Sequence, residues 1–192
     1  DLIAADYETI QPYLTAIRAV EKADDETRER AIAAAGMVKA ADLLAGDYTL
    51  VITNVPYLKR EKFQERFRDH CDRAFPRSKS DLATICVERC GDFSAKGATY
   101  ATVAPQSWLY LQAFADMRTW LLKHHTGCAV AKLGPGAFGT ISGEVVNVVL
   151  SVFTVAQPPG ETMVFFFDAT GSSGPQEKAD TLRSCSPEAI LQ

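Results

Sequence analysis

Residues 48–58 read Tyr48-Thr49-Leu50-Val51-Ile52-Thr53-Asn54-Val55-Pro56-Tyr57-Leu58. The first six are mostly apolar or β-branched, the composition of a strand buried in a sheet. The run stops abruptly at Asn54-Val55-Pro56, because proline has no N–H to give a ladder and stiffens the backbone. Open α/β sheets carry their sites where strands end, at the carboxyl edge, and this strand ends on a polar side chain and a rigid turn.

Upstream, residues 6–35 read as helical, with acids at Asp24-Asp25-Glu26 and Gly36 as a C-cap after Ala33-Ala34-Ala35. A short helix over 38–44 ends at Gly46-Asp47. Downstream, 60–74 predicts a helix stopped before Pro76. Ser80 or Asp81 caps another through about Cys90, closed by Gly91. Gly97 precedes a strand at 98–104. Ser107 then caps an amphipathic helix through Lys123, with Trp108, Leu111, Phe114, Met117, Leu121 and Leu122 on or near one face. Strands are predicted at 128–133, 145–155 and 163–168, the last two separated by the turn Pro158-Pro159-Gly160. Residues 171–175 read as a flexible link before a weak helix and tail. Strand and helix alternate through residue 133, which predicts an α/β fold with a mainly parallel sheet. The tight turn between the last two strands predicts an antiparallel hairpin at one edge.

The chain has 192 residues, 47% of them apolar and 23% charged, which suits one α/β domain or part of a larger one. It opens on Asp1 rather than Met, so the expectation is a segment of a longer protein. No apolar run is long enough to span a bilayer, and no membrane partner is expected. Five cysteines, Cys71, Cys86, Cys90, Cys128 and Cys185, lack C-x-x-C spacing and predict reduced thiols in a cytoplasmic protein. The net charge is −4, but residues 59–79 hold eight bases against four acids. That segment suits phosphate contact through Lys59, Arg60 and Lys62, or else forms a solvated helix face.

The Asn54–Tyr57 group matches a particular chemistry. The lone pair of an exocyclic amine is delocalised into its ring, so the amine is a poor nucleophile. Two acceptors aimed at its N–H bonds hold the nitrogen closer to tetrahedral and stabilise the charge that develops on alkylation. The Asn54 side-chain oxygen is one candidate acceptor and the Val55 carbonyl the other. Pro56 stiffens the turn, and Tyr57 offers a ring on which an extruded base can stack.

These residues resemble the gamma-type adenine-specific DNA methyltransferases, whose signature is Asn/Asp-Pro-Pro-Tyr/Phe. Within them the chain is similar to the large enzymes of phage-exclusion (BREX-type) and fused restriction–modification systems. The resemblance runs from about Leu43 through Val155. It is carried by Val51–Leu58, by Lys79-Ser80-Asp81-Leu82-Ala83 with Glu88-Arg89-Cys90, and by Pro105-Gln106-Ser107-Trp108-Leu109. Leu133-Gly134-Pro135-Gly136-Ala137-Phe138 and Ile141-Ser142-Gly143-Glu144-Val145-Val146-Asn147 complete it.

The resemblance implies a partial Rossmann-like methyltransferase sheet that acts on double-stranded DNA with S-adenosylmethionine (AdoMet), alongside possible other subunits of a defence system. It implies a helical segment over 1–46, the target-base half over 47–170, and a linker or tail over 171–192 toward a recognition domain. Asn54, Val55, Pro56 and Tyr57 would be catalytic, with Phe138 closing a sandwich on the flipped base against Tyr57. Asp81 and Leu82 would lie near the adenine end of AdoMet, and Gln106-Ser107-Trp108 near the same cleft.

The chain departs from the family pattern twice. Val55 stands where proline is commonest, and no glycine-rich turn for AdoMet follows an early strand. The expectation is therefore that the cofactor half lies upstream of Asp1 or has been lost. Two other readings stay open: a degenerate DNA-binding or assembly module, and a methyltransferase for a non-DNA amine or amide.

Other patterns carry less. Gly134-Pro135-Gly136-Ala137-Phe138-Gly139 matches G-x-G-x-x-G, but strand residues follow where a dinucleotide site needs a helix. Cys86 and Cys90, or His124-His125, lack the convergent set that a metal needs.

Overall fold

The computed structural model describes residues 25–138 and 146–192. The expected helix over 6–24 and the loop residues 139–145 lie outside the described residues. The chain divides into two units, 1–47 and 48–192.

In the first unit, α1 runs unbroken over Asp25–Ala45. Gly36 is not a C-cap, and the short helix expected at 38–44 is the continuation of α1. Ala, Met, Lys and Leu on both sides favour helix, which outweighs the roughly 1 kcal/mol penalty of one glycine.

The second unit is built on a six-stranded mixed sheet in the order β1-β2-β4-β3-β5-β6. Its elements are β1 (Tyr48–Asn54), α2 (Glu65–Ala74), α3 (Leu82–Asp92), β2 (Ser94–Pro105) and α4 (Ala115–His124). Then come β3 (Thr126–Gly134), β4 (Val148–Thr154), β5 (Met163–Asp168), α5 (Gly174–Ser184) and β6 (Glu188–Leu191). β1, β2, β3 and β5 run one way, while β4 and β6 run the other.

The expected hairpin of the last two predicted strands does not form. β4 lies between β2 and β3, with both its edges paired, so β5 docks on the far side of β3. The antiparallel edge is made instead by β5 and β6. Residues 171–192, expected as linker and tail, supply α5 and the edge strand β6. Its strand signal, Glu188-Ala189-Ile190-Leu191, is too short to stand out in sequence.

Two expected helices are also re-cut. A 3-10 turn at Arg60–Lys62 precedes α2. The helix predicted from Ser107 is two 3-10 turns, Gln106–Leu109 and Gln112–Phe114, followed by α4. The Arg118 guanidinium donates to the Trp108 and Leu111 carbonyls, both at 2.7 Å, so a side chain satisfies groups that helical amides would otherwise take. Trp108, Phe114, Met117 and Leu121 are buried as expected, but Leu111 and Leu122 point outward.

Side chains alternate between two clusters on opposite faces of the sheet. Tyr100, Ala104, Val149 and Phe153 lie on the face covered by Val87 and Cys90 of α3 and by Met117 and Leu121 of α4. Val103, Val148 and Leu150 lie on the other, beside Leu182 of α5. α2 packs on α3 through Phe63, Cys71 and Ile85.

Candidate active site

The sheet holds the end of β1 at a defined height. Asn54 pairs with Val103, and the Val55 N–H donates to the Val103 carbonyl at 3.1 Å. The Val55 side chain is only 3% exposed and joins the main core. Burying a valine contributes about 1.5–3 kcal/mol, so packing supplies stiffness that proline would have given at this position. Asn54 and Pro56 are exposed. Among the described residues nothing hydrogen-bonds the Asn54 side chain or the Val55 carbonyl, which leaves both acceptors available.

Tyr57 is half-buried against the main core, and its hydroxyl is buried without a hydrogen-bond partner. Burial pushes its pKa up, so it stays a neutral phenol. Gln106 Oε1 and Trp108 Nε1, just beyond the neighbouring strand, are likewise buried and unpartnered.

The chain leaving the turn is stitched to the start of α3. The Leu82 N–H donates to the Leu58 carbonyl (2.9 Å), the Arg60 N–H to the Ser80 carbonyl (3.4 Å), and Lys59 bridges Asp81. A buried carboxylate holds that second segment. Arg77 donates to Glu88 Oε1 through Nε (2.9 Å) and Nη2 (2.8 Å), and the Ser78 hydroxyl donates to Oε2. The Arg77 guanidinium also lies 4.3 Å above the Trp120 ring of α4. Glu88 was legible only as part of a motif. Its burial, and the roles of Arg77 and Ser78, had no local signal.

The structure separates several residues that the sequence grouped. Phe138 packs with Leu133, Val148 and Ala169, on the face opposite the cluster that holds Tyr57. The packing therefore groups it with that cluster and not with Tyr57.

Asp81 caps α3, its Oδ1 accepting from the Ala83 N–H at 2.8 Å, and burial raises its pKa. Leu82 packs on the Phe63, Cys71 and Ile85 cluster. Arg60 is turned onto Asp72 at 2.7 Å, whereas Lys59 and Lys62 are exposed.

A model of the Eco57I restriction-modification methylase family matches residues 5–135, a span that includes β1, the turn and β2. The chain belongs to this family. It is 33% identical over 130 residues to the adenine-specific methyltransferase BrxX of Escherichia coli O9:H4 (strain HS), covering 68% of this chain and 11% of that protein. It is 28% identical over 115 residues to the adenine-specific methyltransferase PglX of Lacticaseibacillus casei (strain Zhang), covering 58% and 9%. The chain thus spans about a tenth of the length of these relatives. The DNA-bound type ISP restriction-modification enzyme LlaBIII superposes with a TM-score of 0.59 at 12% identity, over 87% of this chain and 13% of that one. At that identity the likeness shows the fold alone.

Proposed function

We propose that this methylase-family chain carries the target-base half of an adenine-specific DNA methyltransferase site of restriction–modification or phage-defence type. The observation that carries the reading is a pair of free acceptors, the Asn54 amide oxygen and the Val55 carbonyl, beside a half-buried tyrosine ring at the end of β1. Both curated relatives are named adenine-specific, which supports the substrate class.

Asn54 and Val55 accept the two N–H bonds of the adenine amine and oppose conjugation of its lone pair with the ring. The nitrogen is then directed outward as a nucleophile. Asn54 carries no ionisable group, so it stabilises developing positive charge and does not act as a base. Tyr57 stacks on the extruded base. Lys59 and Lys62 face DNA phosphates, while Arg60 serves Asp72.

AdoMet supplies the methyl group when bound. Asp81 keeps one carboxylate oxygen for its adenine end, and the described residues offer no cradle for its methionine end. A cytoplasmic setting accords with five free cysteines.

The test is Asn54→Ala in the full-length protein, with tritium transfer from labelled AdoMet to DNA from a methylation-deficient host. The expected loss is about a hundredfold to a thousandfold with the fold intact. Near-wild-type methylation by the folded variant would refute the reading.

A further inference from the structure

The β1–β2 ladder ends in a way that bears on the Val55 carbonyl. In a parallel ladder, alternate residues of one strand donate and accept across the same edge. Asn54 is paired with Val103, and the Val55 N–H reaches the Val103 carbonyl at 3.1 Å. In that register the next donor owed to β1 is the N–H of residue 105, and the group owed it is the Val55 carbonyl. Residue 105 is proline and has no N–H. Proline is unusual inside a sheet, and here it still pairs with Val148 of β4 on its other side.

We propose that Pro105 is a positioning residue that acts through Val55: by deleting one ladder donor, it keeps the Val55 carbonyl free to accept the target amine. This rests on the function proposed above. Any other residue at 105 would extend the ladder by one bond. That bond would occupy one lone pair of the Val55 oxygen and draw it toward β2. Pro105 is thus the residue whose missing N–H leaves the ladder one donor short at Val55.

The substitution to test is Pro105→Ala in the full-length protein. The new N–H adds a hydrogen bond, so the melting temperature should hold or rise. kcat for DNA methylation should fall tenfold or more, with KM for DNA and for AdoMet within threefold. Hydrogen exchange should show the new amide at 105 protected. Pro105→Val, which also restores the N–H and suits a strand, should behave alike.

A proline needed only for rigidity predicts the reverse, with stability lost and the amide unprotected. The proposal is overturned if kcat stays within twofold in both variants, or if the amide at 105 exchanges freely in both. Asn54→Ala separates the two levels. If that variant is inactive while both residue-105 variants work normally, only the role of Pro105 fails. If Asn54→Ala remains active, the site reading itself fails.

Discussion

His125 should make this fold acid-sensitive, by an amount that follows from its surroundings. The ring is buried at the end of α4. Its Nδ1 lies 2.7 Å from the Tyr100 hydroxyl, and Trp120 packs edge-on with ring centroids 4.8 Å apart. Burial, with a smaller contribution from neighbouring His124, lowers its pKa from 6.5 to about 4. Burial pushes the Tyr100 phenol up, with Cys90 adding to the effect, so Tyr100 donates and His125 accepts as a neutral ring. Among the described residues, Cys90 acts on Tyr100 and His124 on His125.

The unfolded chain binds a proton at this residue below about pH 6.5, whereas the folded chain does so only near pH 4. Between those values the unfolded state holds more protons, so stability falls as pH falls. The full difference is about 3 kcal/mol, and about 2 kcal/mol of it is lost between pH 7 and pH 5.

Hydrogen exchange on the intact protein reads this locally. After correction for intrinsic rates, protection of α4 and β3 amides should drop about thirtyfold from pH 7 to pH 5. His125→Gln keeps an acceptor for Tyr100 but does not titrate, so its drop should be much smaller. Equal drops in the two proteins would refute the assignment, because carboxylates and the other histidines are common to both.

A Cβ on Gly91 would lie 2.7 Å from His125 Cε1, against a ring already fixed by Tyr100 and Trp120. Gly91→Ala should therefore cost about 1–3 kcal/mol in thermal or denaturant unfolding, despite alanine's helix preference. Gly36→Ala has open space and should stabilise by about 0.5–1 kcal/mol; the same sign for both substitutions would defeat the steric argument. Tyr57→Phe removes an unpartnered buried hydroxyl, so it should hold or raise the melting temperature and keep methylation. Tyr57→Ala should weaken capture of a fluorescent base analogue at the target position by about 1–3 kcal/mol. Calorimetric titration of AdoMet into residues 1–192 should show no low-micromolar isotherm; finding one would place a cofactor cradle within this chain.

What was legible followed from local chemistry. The β1 run, its abrupt end and the Asp81 cap are written in residues adjacent to their partners, and all three stand in the fold. Strand order was not legible. β4 carries a strong strand signal, but nothing local says that β2 and β3 take both its edges, so its pairing with β5 was a natural misreading of a short connection. The helix expected from Ser107 failed because Arg118, eleven residues on, supplies the hydrogen bonds that cap the 3-10 turns. Phe138 was grouped with Tyr57 by resemblance alone, and it packs instead with Leu133, Val148 and Ala169. Glu88 was legible only as part of a motif, because its partners Arg77 and Ser78 reach it through a turn that no local pattern announces.

On the proposed reading, the motif position at Val55 changes without losing its chemistry. Two things are asked of it: an accessible carbonyl and a fixed direction. The carbonyl belongs to the backbone, so no side chain can remove it. Direction can come from a proline ring or from burial, and Val55 takes it from the core packed beneath β1. What can remove the carbonyl from use is a competing donor, and donors are set by other residues. Pro105 withholds one across the ladder, in register with Val55 although fifty positions away. The acceptor is thus kept free by one absent N–H group. A search for reactive side chains passes over this proline, since its contribution appears only once the register of β1 against β2 is known.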